Sequence, residues 1–380
     1  MSISTFLIAT IFFPSHWIYV PLDHWDANSR KIGIEYILTE PFDPSKQTIL
    51  THEDPFDDFL GLGEVLNSEL ADFNIIRIKG RYFSSEFDRF LGENLQAPWV
   101  DKYRWLNRYQ IIKDMEWIRK DVLGDNPVIL LGFGSSAGLA HYYLHEYPNQ
   151  VEKVVSLNPL LLDMPKNLSF WDLLEGFDYL TETYSSDQIV RFSTQSFAPY
   201  FFMDKPIRDS LIETNIKEFV KSFGENSFYE LSPSLVVRSF EHLMDTGPYD
   251  LGPFGHLLEL ISIEIRDETF GQIFENYRGT NYDRGKDYSS KMILIGGAYN
   301  LLLDPKSFDV IGEFYPNSNV FLLKDGYDFS VIRKMGLLNE LLFGFCSNEI
   351  SDQIKIYEKL QRVGLLFQNK DYNSIRIGKK

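Results

Sequence analysis

The amino-acid sequence predicts an α/β protein: a mostly parallel sheet with helices on both faces, interrupted by an inserted helical cap. Three observations predict it. Short β-branched apolar runs alternate with amphipathic helical stretches between residues 48 and 160, the pattern of parallel strands joined by crossover helices. From 165 to 288 helical periodicity takes over, with aromatics clustered at Phe170-Trp171 and Tyr200-Phe201-Phe202 and no strong strand run. Strand character then returns at Lys291 to Gly297. The expected division is therefore 1–164 and 289–380 as two parts of one core, with 165–288 as the cap.

The elements follow in chain order. Phe6 to Phe13 is an eight-residue apolar run. No Lys or Arg precedes it, and no small-x-small site follows before Pro14-Ser15-His16-Trp17. It is therefore read as an early strand rather than a secretory signal, and it is too short to span a bilayer. A cytoplasmic location is the expectation. Thr48 to Thr51 and Asn74 to Ile78 are buried-strand candidates, and Asp58 to Asp72 between them has helical spacing. Trp105 to Val122 reads as one amphipathic helix that Gly124 stops. Pro127 to Gly134 is a buried strand, a helix runs from Ser136 to the Tyr147-Pro148 stop, and Val151 to Leu157 is the next strand. Beyond the cap, Asn319 to Leu323 is a strand and Val331 to Leu342 a final apolar helix.

Composition bounds the partners. Of 380 residues, 44% are apolar, including 31 Phe and 21 Tyr, which is enough for a large core with aromatics left to line a pocket. The formal net charge of −17 opposes phosphate backbones and anionic lipid, so neither nucleic acid nor a membrane surface is expected as a partner. A peptide or small molecule is the expected ligand class; oligomeric state is left open. The single cysteine, Cys346, follows Phe343-Gly344-Phe345 and reads as a small buried apolar residue. No metal spacing, P-loop or dinucleotide turn is present, so no metal and no cofactor are expected.

Chemistry enters at Gly134-Ser135-Ser136-Ala137-Gly138, a Gly-x-Ser-x-Gly motif between an apolar strand and an amphipathic helix. That context is what a nucleophile elbow needs: a sharp turn exposes the serine, and the helix N-terminus faces developing negative charge. The motif resembles that of the α/β-hydrolase fold, with Ser136 in the nucleophile's place. Other segments point to a narrower family. Pro21-Leu22-Asp23-His24, Arg81-Tyr82-Phe83, the Leu106, Gln110, Asp114 spacing and Tyr147-Pro148-Asn149-Gln150-Val151 are similar to motifs of Streptomyces-type tripeptidyl aminopeptidases and their prolyl-carboxypeptidase and proline-iminopeptidase relatives. The resemblance covers 18–160 and 290–340.

The resemblance implies an acid after the strand that follows the cap, and a histidine after the next strand. Those places fall on Asn300, in Gly297-Ala298-Tyr299-Asn300, and on Asp328, in Gly326-Tyr327-Asp328. Both residues are wrong for the task. All seven histidines (His16, His24, His52, His141, His145, His242, His256) precede the last two strands. The oxyanion donors are expected at Ala137 and at Glu53, in a loop reading His52-Glu53-Asp54-Pro55 where carboxylates oppose an oxyanion. Loss of a serine's base costs on the order of a million-fold in rate, about 8 kcal/mol.

The expected protein is thus a serine-aminopeptidase-type hydrolase with an impaired triad. One alternative is an active hydrolase that draws its base from His242 or His256 in the cap or from Asp328, with Asp304 as a displaced acid. Another is a non-catalytic binding or interaction protein. His52, His256 and Glu264 are candidate substrate contacts, although a solvated charged helix face also accounts for Glu264. His141 and His145 are expected to be structural, and Arg81 to form a structural salt bridge.

Overall fold

The computed structural model describes residues 14–55, 57, 70, 72–94, 96–159, 210, 214, 215, 217, 233, 234, 236–238, 241, 288, 290–298, 308, 315 and 317–367. Most of the expected cap lies outside the described residues, as do the Phe6 to Phe13 run and most of the helix expected over 58–72.

Eight strands form one sheet in the order β1-β2-β4-β3-β5-β6-β7-β8. Strand β1 (Ser15–Pro21) pairs antiparallel with β2 (Lys31–Leu38), and β2 pairs antiparallel with β4 (Asn74–Ile78). All further pairs are parallel, through β3 (Thr48–His52), β5 (Val128–Phe133), β6 (Val151–Leu157), β7 (Lys291–Gly297) and β8 (Ser318–Leu323). This is the α/β-hydrolase sheet, and the fold class is as the sequence predicts. Six of the strands read from apolar runs are present, and the seventh, Phe6 to Phe13, lies outside the described residues. Every residue of β3 and of β5 is buried, which is why they show as continuous apolar runs.

The first two strands were not legible in that way. The sequence reading assigns no strand over β1, which begins at Ser15, or over β2. Ser15, Trp17 and Tyr19 point outward while Val20 is buried, so an edge strand carries aromatics on its exposed face.

Helices cover the sheet. They are α1 (Ser85–Glu93), α2 (Trp99–Leu106), α3 (Arg108–Leu123), α4 (Ser135–Glu146), α5 (Ser330–Lys334), α6 (Leu338–Cys346) and α7 (Ile350–Arg362). The single helix expected over 105–122 is divided, because Asn107 leaves helical geometry and its side chain accepts the amides of Tyr109 and Gln110 as the cap of α3. The last expected helix is divided too, at Gly336 with φ +67°. Cys346 is buried as expected, and its thiol is pushed up to about 12 by burial. Among the described residues no helix is long and apolar enough to cross a membrane.

One polar cluster ties the first strands to α3. Asp114 accepts from Arg81 Nε at 2.7 Å and Nη2 at 2.8 Å and lies 2.7 Å from His24 Nε2. Arg81 also donates to the carbonyls of Leu22 and Trp105. Gln110 bridges the Asp23 carboxylate and the His24 amide. Burial pushes the Asp114 carboxyl up, but Arg81 and His24 outweigh it and hold the group below its ordinary value. Arg81 therefore has the structural role expected of it.

Candidate active site

The strand order reverses between β3 and β5, and the loops at their carboxyl ends meet there, the usual place for a ligand in an open α/β sheet. Strand β5 delivers Gly132-Phe133-Gly134 and α4 begins at Ser135. The strained residue of this turn is Gly134, with φ 58° and ψ −118°, a conformation that L side chains rarely adopt. Gly132 allows the close approach of helix to strand, since a Cβ there would lie 2.4 Å from the Cα of Ala137.

This geometry corrects the register of the elbow. Ser136 is the second residue of α4, only 2% exposed, and its hydroxyl folds back onto the strand end. Oγ donates to the Phe133 carbonyl at 2.8 Å and accepts from the Phe133 amide at 2.9 Å. It is not at the apex. The apex is Gly134, which has no side chain, and Ser136 stands two residues later, where the motif has its second glycine.

The space beside Gly134 is filled from two other elements. A Cβ on Gly134 would lie 2.4 Å from Asp57 Oδ1 and 2.5 Å from the Tyr327 hydroxyl. The Asp57 carboxylate accepts the amide of Ser135 at 2.7 Å and that of Ser136 at 2.8 Å. These two amides, not that of Ala137, take the anionic group at the helix start. Glu53 is no donor either. Its amide bonds to the Ile78 carbonyl at 2.8 Å, and its carboxylate lies 3.4 Å from Arg77. Burial, and next the charge of Asp54, push the Asp57 carboxyl upward against the pull of the two amides.

Tyr327, not Asp328, projects toward the apex. Asn158, at φ 41° after β6, fixes this turn: its Nδ2 donates to the Tyr327 carbonyl at 2.7 Å, and its Oδ1 accepts the Gly297 amide at 2.8 Å. Asp325 accepts the amides of Gly326, Val331 and Ile332, with its carboxyl pushed up to about 6 by burial. Asp328 accepts the Ser330 amide at 3.1 Å, so its carboxylate serves the start of α5. The Tyr327 hydroxyl is fully buried and has no hydrogen-bond partner among the described residues.

A buried ion network closes the other side. Arg238 pairs with Asp54 at 2.9 Å and Glu241 at 2.6 Å, and donates to Ser135 Oγ at 3.0 Å. Glu241 also accepts the amide of Arg108 at 2.8 Å. His52 lies beside Gly80 and edge-on to Tyr82, with 2% exposure and no partner for either ring nitrogen. Burial pushes its protonation down to about 4, so it is a neutral ring at neutral pH. It is buried, with its ring set against Gly80 and Tyr82. His141 bonds Ser156 and Tyr315, and His145 bonds Tyr288, as structural residues. Asn300, Asp304, His242, His256 and Glu264 lie outside the described residues. Sequence reasoning missed Gly134, Asp57, Tyr327 and Arg238, because long-range folding brings them together.

No protein-family model matches the chain, and no curated protein matches it in sequence. Several solved structures are similar. Rv0554 from Mycobacterium tuberculosis is 12% identical at TM-score 0.47, over 87% of this chain and 98% of that one. Naproxen esterase (carboxylesterase NP) from Bacillus subtilis is 14% identical at TM-score 0.40, over 87% and 91%. A bromoperoxidase from Bacillus anthracis is 17% identical at TM-score 0.40, over 86% and 98%. Likeness at this level concerns the path of the chain and not its chemistry. The class is an α/β-hydrolase fold whose elbow carries glycine at its apex.

Proposed function

We propose that this chain is an α/β-hydrolase-fold relative of the serine aminopeptidases that does not carry out serine hydrolysis, and that its elbow serves to bind a peptide or small molecule. One observation carries the reading: the strained apex is Gly134, while the hydroxyl of Ser136 is committed to the Phe133 backbone. A serine nucleophile needs exposure and a base. Ser136 has neither among the described residues, since Asp328 is engaged with Ser330 and His52 and His141 are set in other contacts. The Asp57 carboxylate on the amide pair adds to this, because it holds the donors an oxyanion would use. Arg238, paired with Asp54 and Glu241 and bonded to the Ser135 hydroxyl beside the elbow, favours a site built for a ligand.

The test is intact-mass labelling of the folded protein with a fluorophosphonate probe. No adduct is expected on the wild type or on Ser136→Ala. A stoichiometric adduct that disappears in Ser136→Ala would overturn the reading and restore Ser136 as a nucleophile.

A further inference from the structure

Asp57 defines the chemistry of the ligand. Its two oxygens meet two successive amides at the start of α4, a helix of 12 residues, at 2.7 and 2.8 Å. One planar carboxylate thus spans both donors, as anions do at helix N-termini. The group is not part of that helix; it arrives from the loop after β3. A second feature points the same way. The Tyr327 hydroxyl is fully buried, has no partner, and reaches the point beside Gly134 that Asp57 Oδ1 also reaches. A buried hydroxyl without a partner is an exception that needs an explanation.

We propose that the amides of Ser135 and Ser136, together with Tyr327, form a carboxylate-binding cradle, in which Asp57 is a tethered occupant that a small ligand carboxylate displaces. This rests on the reading that the elbow binds rather than turns over. An untethered carboxylate can make the same two amide bonds and also accept from the Tyr327 hydroxyl, which Asp57 leaves without a partner. Arg238 stays paired with Asp54 and Glu241 and keeps Ser135 in place through its hydroxyl. Absence of a side chain at Gly134 admits the Asp57 carboxylate to this point, and the ligand takes the space that Asp57 vacates.

Formate is the probe and Asp57→Gly the variant that vacates the cradle. Formate at saturation should raise the Tm of Asp57→Gly by roughly 2–5 °C, whereas chloride at equal ionic strength should not. Titration calorimetry should show wild type binding formate about ten- to a hundredfold more weakly than Asp57→Gly, since the tethered group competes. Adding Tyr327→Phe to Asp57→Gly should weaken formate about five- to tenfold. Asp57→Asn, which keeps the volume filled, should not respond. Equal responses to formate and chloride, equal formate affinity in wild type and Asp57→Gly, or no effect of Tyr327→Phe would each overturn the proposal. If Asp57→Gly does not fold in buffer, refolding in formate and in chloride becomes the readout, and equal failure in both overturns it. A fluorophosphonate adduct would refute the non-catalytic reading alone, because formate exchange does not depend on it.

Discussion

Two buried polar clusters flank the core, and they differ in how completely their groups are satisfied. Around Arg81 and Asp114, charge is matched: the guanidinium takes both carboxylate oxygens and adjoining carbonyls, and His24 completes the set. Around Gly134, Arg238 is paired twice, yet the Tyr327 hydroxyl has no partner among the described residues. The first cluster lowers the proton affinity of its acid, and the second raises that of Asp57. The first joins the end of β1, the turn after β4 and α3, and serves the fold. Unspent polarity belongs to the second, and buried polar groups left unpaired are costs that a fold tolerates where it needs them for something else.

Much of the resemblance drawn from sequence falls on the first cluster. Asp23, His24, Arg81, Gln110 and Asp114 carry its motifs, and all of them meet in one network. A likeness carried by those residues speaks to the scaffold. It says little about whether the elbow still works.

The largest expected effect comes from breaking the matched cluster. Asp114→Ala leaves Arg81 charged and buried without its partner and should cost about 3–5 kcal/mol, measured by urea unfolding. A loss below about 1 kcal/mol would remove the distinction between the clusters.

Acid should act on the elbow side. Burial holds His52 and His141 neutral, with protonation at about 4 and about 3, while the unfolded chain takes those protons near 6.5. Their contribution is therefore complete above about pH 6.5 and is lost as pH falls toward 4. The slope should be roughly 2–3 kcal/mol per pH unit for two protons, and His52→Leu should halve it. Unfolding free energies measured at several pH values decide this; an unchanged slope in His52→Leu would place the titration elsewhere.

Gly134→Ala should cost about 2–3 kcal/mol, from its positive φ and from a Cβ set against Asp57 and Tyr327. Thermal unfolding reads it, and a neutral result would mean the apex is not strained. The smallest effect should carry the opposite sign. Tyr327→Phe removes a hydroxyl without a partner and should be neutral or stabilising by about 1 kcal/mol. Destabilisation would show that the hydroxyl has a partner, and the contrast between the clusters would weaken.

Much of the fold was legible from local patterning alone. Strands buried on both faces are short apolar runs, so β3 to β8 were visible without their neighbours. Strands β1 and β2 were not; in the edge strand β1, Trp17 and Tyr19 lie on an exposed face and break the expected contrast. Helix breaks at Asn107 and Gly336 depend on capping and backbone sign, which apolar periodicity does not encode. At the site, the turn between strand and helix was correctly located, but its apex was misplaced by two residues. Glycine spacing is degenerate in Gly-Phe-Gly-Ser-Ser-Ala-Gly, and only the backbone angle of Gly134 tells one register from another.

By itself, then, the sequence determined the α/β class, the sheet's buried strands, the place of the elbow and the lack of a histidine after the last strands. These are properties of local pattern and chain order. Only the tertiary structure decided which residue stands at the apex, that Asp57 lies on the helix amides, and that Tyr327 projects to the same point. Those contacts join positions 78 or more residues apart, and no local propensity fixes a pairing that arises only when separate loops converge at the end of a sheet.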